Sequence, residues 1–356
     1  MCLVHSCPAV ERRAHARFRN SSQVDYHLLH LTATALFAQV QAQCPPSLYL
    51  IQAGLLLAVY EYVSGRPDKA FASISGCTRM AYAARIHVCN QPSKQPPWRP
   101  IDEASSALAY KLQTQEAANT WWGIIISERT FFCDITVTEQ PLLASISSGD
   151  ARLPLDPSLL ERDDLLGVET SPHVPVSYLT AVDVDGFGRA AQAAWLLDQV
   201  TKASDISNVN SQLFQLQGLD ATLQSFLVAL MQQCSAGQEK FCEAIAITIR
   251  ALFALHWRIL VLQAGLAVER SQPQQDCCKS HAALNTAINI VLDIVVAHKT
   301  CTALCIAPSL PYLIRAALKH VYGKTKWEED DWLRSVEERL RTALDQFAHH
   351  HEGNGL

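Results

Sequence analysis

Fourteen consecutive uncharged residues, Ser47 to Tyr60, run into Glu61 and then into the break Gly65-Arg66-Pro67-Asp68. A helix that crosses a bilayer needs about 20 apolar residues. This stretch is too short for that, so its apolar surface must be covered by its own chain. As a helix over 47–63 it is apolar on nearly every side, which predicts a central position in a helical domain. Pro45-Pro46 interrupts the chain before it, and Ser47 is placed to cap its first turn. Gly65 suits a helix end, and Pro67 with Asp68 suits the first turn of the next helix. Beyond them Phe71, Ile74, Cys77, Ala81 and Ala84 recur at helical spacing. The small residues Ala72, Ser73, Gly76 and Ala83 let a neighbouring backbone approach. The stretch therefore reads as an αα-hairpin.

The same periodicity continues along the chain. Residues 24–43 carry an apolar stripe through Leu28, Leu31, Ala35 and Ala38. A loop with four prolines is predicted over 90–105, then a helix over 107–137. That helix has an apolar face through Trp121, Trp122, Ile125 and Phe132. Glu116, Glu128, Arg129 and Asp134 are expected on its outside. Residues 140–186 are rich in proline, aspartate and serine and lack sustained periodicity, which marks a linker between two helical halves. Further helices are predicted near 187–204, 209–233, 239–267, 280–300, 308–322 and 328–348. The last opens on Glu328, Glu329, Asp330 and Asp331, where the helix dipole favours negative charge. It carries the stripe Leu333, Val336, Leu340, Leu344 and Phe347, with Asp330–Arg334 and Glu337–Arg341 as i,i+4 pairs. The expected class is all-α, an array of packed helical hairpins with no sheet. A basic arm (1–23), one domain of two halves (24–348) and a flexible tail (349–356) complete the expected organisation.

Charge and cysteine usage narrow the function. Of 356 residues, 18% are charged and the formal net charge is −5, which argues against bulk electrostatic binding of nucleic acid. The densest basic stretch, with Arg12, Arg13, Arg17 and Arg19, reads as a solvated arm. Twelve cysteines occur without a Cys-x-x-Cys and read as reduced thiols. Cys301 and Cys305 share a helix face but have no partners at zinc-site spacing. The N-terminus does not resemble a signal peptide. Residues 245–265 are apolar but contain Arg250, His256 and Arg258, so a buried helix is expected there and no membrane span.

The motifs that carry chemistry are sparse. Gly186-x-Gly188-x-x-Ala191 is part of a dinucleotide fingerprint, yet no βαβ unit surrounds it, and it reads as a loop entering a helix. Asp183 and Asp185 lack the other oxygen ligands of a calcium loop. His256 reads as a lone core histidine with no second titratable group beside it. His349, His350 and His351 end the last helix. Gly-x-Ser-x-Gly, His-Glu-x-x-His and Walker patterns are absent. No catalytic, cofactor-binding or metal-binding residue is assigned, and the chain is expected not to be an enzyme. Trp121 and Trp122 are expected to anchor a core.

The stretch 49–87, YLIQAGLLLAVYEYVSGRPDKAFASISGCTRMAYAARIH, resembles the fungal-specific transcription factor domain, the middle homology region of fungal zinc-cluster regulators. Gln52, Leu56, Tyr60, Glu61, Gly65, Arg79, Met80, Ala81 and His87 fall on its pattern. A second signature is matched by Glu116, Trp121, Trp122, Glu128 and Arg129. Ala117-Ala118-Asn119 stands where the family usually has arginines. Residues 150–160, 308–322 and 330–347 are similar to later parts of the domain, so the resemblance covers roughly 24–348. It implies a transcription-regulatory module, nuclear or shared between nucleus and cytoplasm. Transcriptional co-regulators, a DNA-binding partner protein and a small-molecule effector are the implied partners. The family's six-cysteine zinc cluster is not found in this chain, and neither is its coiled-coil segment. The resemblance therefore implies no zinc here, no DNA-contacting residue, and weak or no direct DNA binding. The signature residues Gln52, Tyr60, Glu61, Gly65, Arg79, Met80, His87, Trp121, Trp122 and Arg129 are expected to be structural. The rival expectation is a helical small-molecule-binding protein or an enzyme of a biosynthetic pathway.

Overall fold

Ser47 caps the helix Leu48–Val63 by accepting a hydrogen bond from the Leu50 amide, and Gly65 follows its end with φ of 79°. In the computed structural model, residues 26–89, 106–137, 139–146, 148–155, 174–182, 184–235, 241–270, 277–298, 308–325 and 331–353 are described. Among them the fold is all-α. The helices are α1 (Tyr26–Gln43), α2 (Leu48–Val63), α3 (Pro67–Ala83), α4 (Ser106–Phe132), α5 (Gly186–Ser204), α6 (Val209–Ser235), α7 (Cys242–Arg270), α8 (Cys277–His298), α9 (Leu310–Thr325) and α10 (Asp331–Gly353). A 3-10 turn spans Ile86–Val88. The only β pairing among the described residues is an isolated bridge between Arg152 and Pro175. The basic arm, the proline-rich loop over 90–105, Asp183, Glu328–Asp330 and Cys301 with Cys305 lie outside the described residues.

The chain divides into two compact units, one drawn from Met1–Glu128 and Pro141–Pro175, the other from Arg129–Gln140 and Val176–His350. In the first, α2 and α3 pack as the expected hairpin. Phe71, Ile74, Cys77 and Ala81 are buried, while Ala84 is only the C-terminal cap. Gly54 lies close to Phe37 and Cys77, and an added Cβ would stand 2.8 Å and 2.6 Å from them. Trp121, Trp122 and Ile125 of α4 are buried as expected.

Two expectations for this unit need correction. Leu28, Leu31, Ala35 and Ala38 form the exposed side of α1, and its buried residue is His30. Apolar residues occupy so much of this helix that spacing alone does not select the packed face. Helix α2 is not enclosed either, since Tyr49 and Leu56 are exposed.

In the second unit α7 is the central helix and packs against α5, α6, α8 and α9. Its buried residues include Ile247, Phe253, Leu255 and Ile259. Both α7, over Cys242–Leu266, and α8, over Cys278–Ala297, are long and apolar enough to cross a membrane by composition. Yet the charges of α7 are used within its own unit. Arg250 pairs with Asp134, and Arg258 donates to the Ser204 carbonyl and to Gln212. On α10, Leu333, Val336, Leu340 and Phe347 are buried, with Ala343 taking the place expected for Leu344. Asp331 pairs with Arg334, while Asp330, the expected partner, lies outside the described residues, and Arg341 pairs with Glu337 as expected. The helix continues through the expected tail as far as Gly353.

Candidate functional site

The signature residues of the first unit are drawn together by α2, α3 and α4. Glu61 sits on the inner side of α2, 1% exposed. Ser73 donates to its Oε2 at 2.6 Å, Lys69 Nζ lies 3.0 Å from Oε1, and His30 Nε2 lies 3.3 Å from the same oxygen. A carboxylate out of water requires such partners, and here α1 and α3 provide them. Burial, with Arg66 and Lys69 nearby, holds His30 below the usual imidazole pKa despite the attraction of Glu61. Tyr60 stacks on the His30 ring at 4.9 Å.

About two helical turns before Tyr60 on α2, Gln52 reaches α4. Its Nε2 donates to Glu116 Oε1 at 3.0 Å and to Thr120 Oγ1 at 3.1 Å. Trp121 receives the Tyr82 ring edge-on at 5.3 Å and the His87 ring at 6.0 Å. Met80 is buried and its sulfur accepts from Gln41, whereas Arg79 is exposed.

The far part of α4 secures the irregular segment that follows it. Trp122 Nε1 donates to the Arg152 carbonyl at 2.7 Å. The Asn119 amide holds Leu155 from both sides, donating to its carbonyl at 3.0 Å and accepting from its N–H at 3.2 Å. Glu128, expected on the surface, is 0% exposed and accepts from the backbone N–H groups of Leu143 and Ala144. Period alone does not reveal this role, because the acceptor is demanded by backbone amides distant in sequence.

The second unit holds its own buried charges. Arg129, also expected outside, donates to Asp198 Oδ1 at 2.8 Å, and Lys202 approaches Oδ2 at 2.7 Å. Within the Gly186-x-Gly188 segment, Asp185 caps α5 by accepting from Gly188 N–H. Arg189 then donates to the carbonyls of Leu179 and Ala181 and to Gln192 Oε1. This segment is a loop entering a helix, with an arginine fastening the loop. Burial lowers the Arg189 pKa.

His256 is not alone, which corrects the sequence reading. Asp220 Oδ1 lies 3.2 Å from its Nε2 and Ser280 Oγ lies 3.4 Å from its Nδ1. Asp220 comes from α6 and Ser280 from the first turn of α8, so sequence spacing carried no signal for either. Burial pushes the Asp220 carboxyl up, but hydrogen bonds from His256 and Gln224 outweigh it and leave the pKa lowered. Carboxylate, imidazole and hydroxyl stand here in the order used to activate a serine nucleophile. However, Ser280 is 4% exposed and His256 3%. A hydroxyl so enclosed cannot meet a substrate carbonyl, and the arrangement as it stands is a packing device joining three helices.

Nearby, Trp257 Nε1 donates to His320 Nδ1 at 3.4 Å, and the His281 ring lies 6.1 Å from that of His320. At the start of α7, burial pushes the Glu243 carboxyl up to about 7 against the hydrogen bond from Ser309. Among the described residues no group of three or more His, Cys, Asp or Glu side chains is arranged to hold a metal ion. What fold and site define is a class, an all-α array with buried polar ties. No family model, curated protein or solved structure matches the chain.

Proposed function

We propose that this chain is the regulatory module of a fungal zinc-cluster-type transcription regulator. It acts in the nucleus through co-regulators, a DNA-binding partner protein or a small-molecule effector rather than by reading DNA itself. The observation that carries the reading is the bond set from Gln52 to Glu116 and Thr120. It joins two of the segments that carry the family resemblance, and the Tyr82, His87 and Trp121 rings meet beside it. Glu61, Trp121, Trp122 and Arg129 are all 3% exposed or less, which supports their reading as framework positions.

Fusion of the full chain to a heterologous DNA-binding domain, with a reporter downstream, tests the proposal. A changed reporter output and nuclear tagged protein are the expected results. Unchanged output with the protein confined to the cytosol would overturn it.

The rival reading, a helical enzyme or small-molecule binder, draws on Asp220, His256 and Ser280. A fluorophosphonate probe separates the two. The regulatory reading expects no labelling of Ser280 in the folded protein, and stoichiometric labelling there would favour the enzyme.

A further inference from the structure

A groove of about 180 Å³ runs between α8 and α10, lined by Leu292, Val295, Val296, Glu338, Arg339 and Thr342. It is smaller than the pockets that enclose drug-sized ligands, so its occupant has to be small. The α8 wall is aliphatic, with Leu292 and Val295 buried and Val296 51% exposed. The α10 wall is polar and carries both signs of charge on consecutive exposed residues. Ion pairs on α10 join Asp331 to Arg334 and Glu337 to Arg341, and among the described residues Glu338 and Arg339 form none. Thr342, one turn beyond Glu338, gives its hydroxyl proton to the Glu338 carbonyl at 2.8 Å. Its oxygen therefore faces the groove only as an acceptor.

We propose that this groove binds a zwitterionic amino acid with an aliphatic side chain. Consecutive Cα atoms lie about 3.8 Å apart, so Glu338 and Arg339 suit a ligand whose ammonium and carboxylate sit on one carbon. The ammonium donates to the Glu338 carboxylate and the Thr342 oxygen, and the carboxylate accepts from the Arg339 guanidinium. The side chain then lies on Leu292, Val295 and Val296, where its burial is favourable. The paired charges disfavour simpler ligands. An aliphatic carboxylate meets Arg339 but is repelled by Glu338, and for an aliphatic amine the signs reverse. A plain hydrocarbon takes water from both charges and gives them no partner. Because Glu338 and Arg339 are exposed, each contact is weak and the affinity falls in the millimolar range. The inference does not rest on the regulatory reading, since binding is measured on the isolated protein.

Saturation-transfer NMR on the full chain, with L-leucine as the probe, is the test. Saturable binding is expected. Isovalerate, isopentylamine and glycine should each bind more weakly, since each lacks one of the three contacts. Arg339→Ala and Glu338→Gln should each weaken leucine binding by about threefold to fivefold. Their far-ultraviolet circular dichroism should not change, because both positions are exposed. Glu338→Gln should also remove the discrimination against isovalerate. Val296→Asp should weaken binding, whereas Val261→Asp, at a position 63% exposed on α7, should not. Leucine that fails to saturate at tens of millimolar would overturn the proposal. So would isovalerate or isopentylamine binding as tightly as leucine, binding insensitive to both Glu338 and Arg339, or equal losses in the two valine variants.

Discussion

Arg129 Nε donates to Asp198 Oδ1 at 2.8 Å, with the two side chains only 3% and 1% exposed. Removing one member of a buried pair leaves the other charge without its partner in a poor dielectric, which typically costs about 3–5 kcal/mol. Asp198 would keep Lys202 at 2.7 Å, a side chain 57% exposed, so Arg129→Met belongs at the lower end of that range. In urea unfolding the midpoint should fall while the slope stays constant. Adding Asp198→Leu should recover most of the loss, since the uncompensated carboxylate is then gone. Additive losses in the double variant would show that the pair does not act as a unit.

His320 gives the fold an acid-sensitive point. Burial first, then the positive fields of Lys324 and His281, lowers its pKa to about 4 from the ordinary 6.5. Between those values the unfolded chain binds a proton that the folded chain refuses. Stability from this group is therefore complete above pH 6.5 and falls as pH drops towards 4, by on the order of 2 kcal/mol. Glu243 has the opposite sign. Its raised pKa of about 7 means the folded state keeps a proton that the unfolded state loses above 4.5. Its contribution is present below pH 4.5 and is lost as pH rises through 7. Thermal melts from pH 4 to 8 should flatten on the acid side for His320→Gln and on the neutral side for Glu243→Gln. Identical slopes for both variants and the parent would remove these groups from the acid response.

Helices declared themselves in the sequence wherever local chemistry was enough. Ser47, Gly65, Pro67 and the Phe71–Ile74–Cys77 stripe act within a few residues of one another, and the hairpin they predict is present. The buried charges were not legible in that way. Glu128 and Arg129 look like surface residues on a helix because the groups that pair with them, Ala144 N–H and Asp198, come from elsewhere in the chain. The same holds for His256, whose companions lie 36 residues before it and 24 after it. Helix α1 failed for a different reason. With apolar residues around most of its circumference, several faces satisfy the helical period, and contacts with α2 and α3, such as His30 with Glu61 and Phe37 with Gly54, select the one that packs.

Two glycines separate backbone strain from steric crowding. Gly65 has φ of 79° and open space around its Cβ position. Alanine there meets only the left-handed penalty, about 1 kcal/mol. Gly54 is helical, but a Cβ would lie 2.6 Å from Cys77 Sγ and 2.8 Å from Phe37 Cζ. Overpacking of that kind costs about 1–3 kcal/mol, against a gain in helix propensity of under about 1 kcal/mol. Gly54→Ala should therefore lower the urea midpoint more than Gly65→Ala. A Cys77→Ala background should relieve part of the Gly54→Ala loss and none of the Gly65→Ala loss. Equal relief at both positions would contradict the contact between α2 and α3.

Thiol chemistry reads the burial of the same hairpin directly. Burial pushes the Cys77 thiol up to about 12, with Glu61 adding to the shift, and the Cys133 thiol up to about 11. Cys89 is likewise pushed up to about 12. Cys44 and Cys278 are exposed. Alkylation proceeds through the thiolate, so reactivity follows both access and thiolate fraction. Iodoacetamide at pH 8, quenched over time and mapped by peptide mass spectrometry, should modify Cys44 and Cys278 in the native protein. Cys77, Cys89 and Cys133 should lag by at least tenfold or so, the factor expected for each pKa unit of lost thiolate. In denaturant all five should react alike, and the Arg129→Met variant should speed Cys133 if its end of α4 loosens. Equal native rates for Cys44 and Cys77 would mean that α3 does not bury its inner face.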